Sequence, residues 1–305
     1  MQIIIYSFNR AMQLSALIDS INSNWIGGCN ISIDVIYNSS NAEFEKGYEI
    51  LKNSLACKTN IVFHKETKTR RTTWSIKEFT DLYNLKLLLL CPFLRKKKTD
   101  FRDLTLEVLR KTKHACTMFL TDDSIFIRPF TLTEKVEKWI MDNPMQHQFS
   151  YRHGREFAHC SKLPHVQENT VWNFLDYDTS NHWGYNYSLD AHVYSSAFMH
   201  KLLSSVTFSN PNTLESSGVL HVRKKQVLST GMCDERMSIL SFPINIVQTT
   251  FTNDALKAMP EKLNEFYCNG YRIEYPYEDD YNTFQQYPEY VWIKKGNEAI
   301  RYSIK

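Results

Sequence analysis

"IIIYSFNRAMQLSALIDSI", residues 3–21, joins two periodicities through a short polar turn. "QIIIYSF" is an apolar, β-branched run and reads as a buried strand. Asn9 stands where a helix cap is expected, and Leu14, Leu17, Ile18, Ile21 and Trp25 then recur at helical spacing, predicting an amphipathic helix over about 11–24. The same unit repeats downstream. "ISIDVIYN" (31–38) reads as a second strand running into the turn-rich "NSSNAEF", "EFEKGYEILKNSL" (43–55) as a helix, and "NIVFHKE" (60–66) as a third strand. Phe101, Leu104 and Val108 fall at i, i+3 and i+7, a helix leading into "ACTMFLTDDSIF" (115–126). Strands alternating with helices at this interval predict an α/β fold with a mostly parallel central sheet flanked by helices.

The strand "MFLT" ends in two adjacent carboxylates, Asp122 and Asp123. Carboxylates beside a core are costly unless a cation, a metal or backbone donors pair them. In open α/β sheets ligands bind outside the carboxyl ends of the strands. Both the aspartates and the stretch Ser7–Arg10 fall at such ends, which predicts one shared site. Carboxylate oxygens suit a hard divalent cation, Mg²⁺ or Mn²⁺, that keeps open positions for substrate phosphates. The plain alternative is a turn pair, with Asp122 capping a short turn before Pro129. Arg10 suits a ribose or phosphate contact, and Arg102 is a weaker candidate of the same kind.

After residue 130 the pattern loosens. "TLTEKVEKWIMDN" (131–143) is a helix with Pro144 beyond its end, while residues 145–190 are rich in His, Tyr, Trp and Asn and carry little periodicity. "LDAHVYSSAFMHKLLSSV" (189–206) reads as a strand feeding a helix, with Asp190 and His192 on one face of the strand. "SFPINIVQTTF" (241–251) is a candidate late strand, "PEKLNEFYCNG" (260–270) a helix closed by Gly270, and 272–295 an aromatic, acidic tail. No internal repeat or linker divides the chain, so one domain is expected over 1–305, with a regular half over 1–130 and an irregular half over 131–305.

Composition excludes several classes. A net charge of +3 is too small for a nucleic-acid binder. Seven scattered cysteines without a CxxC pair argue against a zinc ribbon or a disulfide framework and fit a reducing compartment. The opening "MQIIIYSFNR" turns polar too soon for a signal peptide, and no stretch approaches a membrane span. A cytoplasmic location is therefore expected. His147, His153, His159 and His165 recur every six residues, which is not a zinc spacing on a helix. Basic clusters at Arg70–Arg71, Arg95–Lys98 and Arg223–Lys225 read first as solvated surface, with diphosphate contact or peripheral contact with an anionic membrane face as the alternatives.

Taken in order, these segments resemble the GT-A nucleotide-diphospho-sugar glycosyltransferases of the family-2-like kind. "IIIYSFNRAMQLSALIDSI" is similar to that family's opening strand, Asn-Arg turn and first helix, and "MFLTDDSIFIRP" to its DxD region. "WGYNYSLDAHVYSSAFMHKLL…FSNPNTLE" resembles the acceptor-side strand and helix followed by the acidic residue that serves as base, and "FPINIVQ" and "EKLNEFYCNGYRI" resemble its C-terminal part.

The resemblance implies a GT-A (Rossmann-like) sheet and transfer of a sugar to an acceptor hydroxyl, inverting and metal-dependent. A glycan or lipid-linked acceptor, in surface glycan or polysaccharide synthesis, follows from the same likeness, as does contact with the cytoplasmic membrane face. It places Ser7, Phe8, Asn9, Arg10 and Asn38 at the nucleotide, and Asp123 on Mn²⁺ or Mg²⁺. Asp122 stands beside it on the metal or the ribose, and Glu215 is the base with Asp190 as runner-up. Either His192 or His221 is a candidate to complete the metal shell. The chain departs from the family in two places. Tyr37 and Asn38 stand where a base-contacting Asp is usual, and Thr121 stands where a first aspartate of the metal motif is expected. Two rivals remain: a sugar-phosphate nucleotidyltransferase, disfavoured by the glycine-free "YSFNRAMQ", and a non-catalytic carbohydrate- or nucleotide-binding protein of degenerate transferase ancestry.

Overall fold

The structure, a computed structural model, describes residues 1–27, 30–67, 99–154, 170–178, 182–245, 258–277, 281 and 283–304. Its first half is the expected βα series: β1 (Gln2–Phe8), α1 (Ala11–Asn24), β2 (Ser32–Asn38), α2 (Ala42–Ser54), β3 (Ile61–Lys65), α3 (Phe101–Lys111) and β4 (Cys116–Thr121). A short β5 (Ser124–Phe126) and α4 (Glu134–Asp142) follow. The second half holds β6 (His147–Ser150), β7 (Thr170–Asn173), β8 (His192–Ser195), α5 (Ser196–Ser204), α6 (Pro211–Lys225), β9 (Thr230–Cys233) and β10 (Ile239–Ser241). It closes with α7 (Pro260–Cys268), β11 (Arg272–Glu274), β12 (Tyr290–Lys295) and β13 (Glu298–Ser303).

Eight strands form the central sheet in the order β3-β2-β1-β4-β8-β6-β9-β7. The pairs β3–β2, β2–β1, β1–β4 and β6–β9 are parallel, and β8 and β7 run against the other six. The loosely patterned stretch 145–190 thus supplies two strands, β6 and β7, that periodicity did not flag. At four residues each they are too short to display it. The candidate strand 241–251 is a strand only at Ser241, where β10 ends; Phe242–Asn245 continue without one, and 246–251 lie outside the described residues. The aromatic tail contributes an antiparallel sheet, β11-β12-β13.

Both faces of the central sheet are covered, which is why its inner strands read as continuous apolar runs. Ile3, Ile5, Met118 and Leu120 join one buried cluster with Leu14, Leu17 and Ile18 of α1. Ile4, Tyr6 and Phe119 join a second with Phe101 and Val108 of α3, Leu202 of α5 and Leu214 of α6. The alternation along β1 is the period-2 rule acting on a strand buried on both sides. The six co-directed strands therefore end at one edge, where the loops after β1, β4 and β6 meet.

Two local expectations change. Asn9 is not the cap of α1: that place falls to Arg10, which makes no side-chain cap bond. Asn9 instead adopts a left-handed backbone, φ 57°, and its side chain spans to Ser40, donating to Oγ at 2.9 Å and accepting from the backbone N–H at 2.8 Å. Asn tolerates this conformation because its short polar side chain bonds locally. Asp190 and His192 do not share a strand face either. Ala191 sits at φ 59° and β8 begins only at His192, so the two side chains part.

Candidate active site

The parallel register that sets Tyr6 against Thr121 brings the turn after β4 beside the turn after β1. Asp122 is buried there, with both carboxylate oxygens engaged: Oδ2 accepts from Phe8 N–H at 3.2 Å and Oδ1 from Arg10 Nη1 at 2.9 Å. The same Nη1 lies 3.3 Å from Asp123 Oδ2. Arg10 is anchored from its other side by Asn245, whose Oδ1 accepts from Nε at 2.7 Å and whose backbone carbonyl accepts from Nη2. Burial opposes the guanidinium charge, but the Asp122 and Asp123 carboxylates outweigh it and raise the Arg10 pKa. Burial likewise pushes the Asp122 carboxyl up, against the pull of Arg10 and with the like charge of Asp123.

The nucleotide-end candidates gather around this pair. Arg10 N–H donates to the Tyr48 hydroxyl at 3.2 Å, and that hydroxyl lies 2.7 Å from Ser7 Oγ. Asn9 N–H reaches the Asn38 carbonyl at 3.3 Å, tying the β1 and β2 ends. Arg102 does not join them. Its guanidinium donates to the Val206 and Ser204 carbonyls at 3.1 and 2.9 Å and lies over the Phe208 ring, so it caps α5 rather than facing the carboxylates. Its described partners lie in the last turn of α5 and in the connection to α6, away from the sheet edge that holds the carboxylates.

A second group of carboxyls faces the first across Thr121. The Thr121 hydroxyl donates to Asp123 Oδ1 at 2.8 Å and also lies 3.2 Å from Asp190 Oδ1. One hydroxyl carries one proton, so it serves only one of the two at a time. Asp190 Oδ2 meets Arg152 Nη1 at 3.4 Å. Arg152, nearly fully buried at the end of β6, is further held by Ser188 Oγ at 3.1 Å and His182 Nδ1 at 2.5 Å, over the Phe284 ring. Burial raises the Asp190 pKa against the pull of Arg152, with Asp123 adding to it.

Glu215 completes the group. The Asn210 side chain and Thr213 form a reciprocal capping box that starts α6 with Pro211 in its first turn, which fixes where Glu215 falls on the helix. Its Oε1 accepts from Leu189 N–H at 3.1 Å, next to Asp190. Burial and the neighbouring Asp190 charge push its carboxyl up to about 7. Tyr185 stands within reach of the same carboxyls, its phenol pushed up by burial and by the Glu215 charge.

One turn along α6, Gly218 makes the close approach possible, because a Cβ there would lie 2.1 Å from the Tyr187 ring. Tyr187 is fully buried and cannot swing away. Gly218→Ala is therefore expected to cost about 1–3 kcal/mol in chemical denaturation by overpacking and to displace Glu215 with the helix. Stability unchanged within ~0.5 kcal/mol, the range of neutral surface changes, would show that α6 yields at no cost.

Several side chains here were not singled out from the sequence, Arg152, Asn245 and Tyr275 among them, the last stacked on Phe242 at 4.5 Å. His192 and His221 stay apart from the carboxyls. His192 is buried with Nδ1 on Gln148 Oε1 at 2.8 Å, and burial holds it neutral; His221 lies on α6 near Lys224 and Lys225. Of the basic clusters, Arg223–Lys225 forms the last turn of α6, where cations complement the helix dipole. Arg70–Arg71, Arg95–Lys98, His159 and His165 lie outside the described residues.

Among the described residues no three His, Cys, Asp or Glu side chains converge as a ready-made cage. Asp122 has each oxygen on a protein donor, whereas Asp123 has one oxygen on a shared hydroxyl and the other on a longer 3.3 Å contact. Two cations, Arg10 and Arg152, face three carboxylates, Asp122, Asp123 and Asp190, before Glu215 ionises. An all-oxygen, net-negative site fits Mg²⁺ or Mn²⁺ on Asp123, with the remaining ligands drawn from substrate oxygens and water. No described helix is long and apolar enough to cross a membrane.

No family model matches the chain, and no curated protein matches it. Solved structures align with it at low similarity. The S. aureus TarS 1–349 structure has 11% identity and a TM-score of 0.45, covering 79% of this chain and 59% of that one. A complex of TarS 1–349 with UDP-GlcNAc gives 9% identity, a TM-score of 0.42 and coverage of 78% and 57%. The apo structure of the WbbM bifunctional glycosyltransferase gives 14%, 0.33, and 72% and 36%. The chain spans 36–59% of the length of these TarS and WbbM chains. At these scores none of the likenesses bears on any residue of this chain.

Proposed function

We propose that the chain is a GT-A-type glycosyltransferase that moves a sugar from a nucleotide-diphospho-sugar to an acceptor hydroxyl, with inversion. The observation that carries this reading is the run of carboxyls from the Arg10–Asp122–Asp123 group through Thr121 and Asp190 to Glu215, whose carboxyl is pushed up to about 7 by burial and by the Asp190 charge. A proton acceptor works best with a pKa near the operating pH. Glu215 takes the proton of the acceptor hydroxyl as the C–O bond forms, and Asp190 tunes it by its charge. Arg10 holds Asp122 and Asp123 in place at the diphosphate. Ser7, Phe8, Asn9 and Asn38 line the nucleotide end, and Asp122 braces that end through Phe8 N–H.

A bound Mn²⁺ or Mg²⁺ supplies positive charge at the departing diphosphate, and Asp123 is the residue that would hold it. Residues 1–130 form the nucleotide-sugar half and 131–305 the acceptor half of one domain. The acceptor is a glycan or lipid-linked glycan in surface polysaccharide synthesis. The protein works in the cytoplasm, with peripheral contact at the membrane face.

The test is binding and hydrolysis of a panel of sugar nucleotides with and without Mn²⁺. Wild type is expected to bind one donor at least tenfold tighter with metal, and Asp123→Ala to lose that enhancement. A protein that binds no sugar nucleotide, or whose Asp123→Ala variant binds with the full metal effect, overturns the assignment.

A further inference from the structure

The segment that follows β10 is laid across the aspartate turn. β10 pairs antiparallel with β5, Phe242 N–H donates to the Asp123 carbonyl at 2.7 Å, and three residues on Asn245 grips Arg10 from the side away from Asp122. Gln13 Nε2 also donates to Asn245 Oδ1, at 3.2 Å, so this amide oxygen is fixed by two donors. Tyr275, leading out of β11, stacks on Phe242 with ring planes 23° apart and so comes to lie beside the same turn.

The contacts these residues lack point to a ligand. Asn245 is 1% and Tyr275 6% exposed, yet Asn245 Nδ2 and the Tyr275 hydroxyl have no hydrogen-bond partner among the described residues. A buried polar group without a partner costs free energy and is rare in a native fold. Fixing Asn245 Oδ1 on Arg10 and Gln13 leaves its NH₂ group turned to the other side, with both N–H bonds unused among the described residues. The charges of Asp123, Arg10 and Asp122 all act on the Tyr275 hydroxyl, which places it at this site and not elsewhere in the core. Both orphans can donate, and both lie beside the partly buried Arg10 guanidinium.

We propose that Tyr275 Oη and Asn245 Nδ2 are ligand-facing donors that bind diphosphate oxygens at the Arg10–Asp122–Asp123 group, so that the C-terminal segments form a third wall of the donor site. The inference rests on the reading of that site as a donor diphosphate site. It assigns to Phe242–Asn245 and Tyr275 a direct part in holding the leaving group, alongside the first-half residues. A phenol and a primary amide are neutral donors. They add hydrogen bonds to an anion without adding charge to a site whose carboxylates already need cations.

The discriminating variant is Tyr275→Phe, which keeps the ring on Phe242 and removes only the hydroxyl. The probes are a set of nucleoside diphosphates, with inorganic pyrophosphate as the base-free reference, each in the presence of Mn²⁺. A hydrogen bond to a charged group contributes enough that affinity is expected to fall about tenfold or more. Removing an orphaned hydroxyl is expected to leave the thermal midpoint of the free protein unchanged or raised. Asn245→Asp, which keeps the oxygen that Arg10 and Gln13 bond and replaces the donor by an acceptor, is expected to lower diphosphate affinity further. If wild type binds a nucleoside diphosphate and Tyr275→Phe binds it equally well, the inference is overturned and the donor site stands. A lowered midpoint with unchanged affinity would give Tyr275 a purely structural role and overturn it too. Wild type binding none of the probes overturns the donor site itself.

Discussion

Glu215→Gln is expected to lower sugar transfer by about 10²- to 10⁴-fold, the usual worth of a positioned general base, while donor affinity changes less than about twofold. Glutamine keeps the side-chain volume and the carbonyl oxygen that can accept from Leu189 N–H, so the loss isolates proton acceptance. Because burial and the Asp190 charge hold the Glu215 carboxyl near 7, wild-type kcat/KM is expected to rise about tenfold per pH unit below that value and to level above it. Stability moves the other way. A carboxyl raised in the folded state binds its proton more tightly there than in the unfolded chain, so its contribution is present at pH 4 and lost as pH rises through about 7. Glu215→Gln, which carries the neutral form permanently, should therefore be more stable than wild type at pH 8. The two should converge towards pH 4 in urea titrations. Transfer preserved in the variant would move the base to Asp190.

What the sequence revealed of this site, and what it hid, follows contact range. β1, α1 and β4 were legible because each carries its own periodicity over six residues or more. The aspartates were legible because they interrupt an apolar run at a strand end. Arg152 was hidden because β6 is four residues long and too short to show that its carboxyl end lies at the same edge as the β1 and β4 ends. Asn245 and Tyr275 reach Asp123 through Phe242, by a strand pairing of three residues and a ring stack, and nothing local marks either. The Asn9 and Ala191 backbones carry φ of 57° and 59°, which residue type alone does not announce. Those two angles account for the misplaced cap of α1 and for the parting of Asp190 from His192. Arg102 differs in another way: from the start of α3 its guanidinium meets the carbonyls at the end of α5, a partner that arginine takes as readily as phosphate.

Arg10→Ala is expected to destabilise the fold by about 3–5 kcal/mol, the cost of removing one partner from a buried ion pair. Asp122 would keep its bond from Phe8 N–H and lose the cation, with Asp123 beside it at the same charge. Asn245 would lose both of the bonds it makes to the guanidinium, loosening the segment that crosses the aspartate turn. The loss has a pH signature. Burial already raises the Asp122 carboxyl with Arg10 in place, and without the guanidinium it rises further. A raised folded-state pKa means stability present at low pH and lost as pH rises, so the gap between wild type and variant should widen from pH 5 to pH 8. Adding Asp122→Asn to Arg10→Ala removes the uncompensated charge and should recover a large part of the loss at pH 8 and little at pH 5. Arg10→Lys should not substitute, because one ammonium cannot reach Asp122, Asp123 and both Asn245 oxygens as the planar fork does. Urea denaturation of the four proteins at the two pH values reads all of this. A gap independent of pH, or no recovery in the double variant, would mean that Arg10 acts through Asn245 and packing, and not as the cation of the aspartate pair.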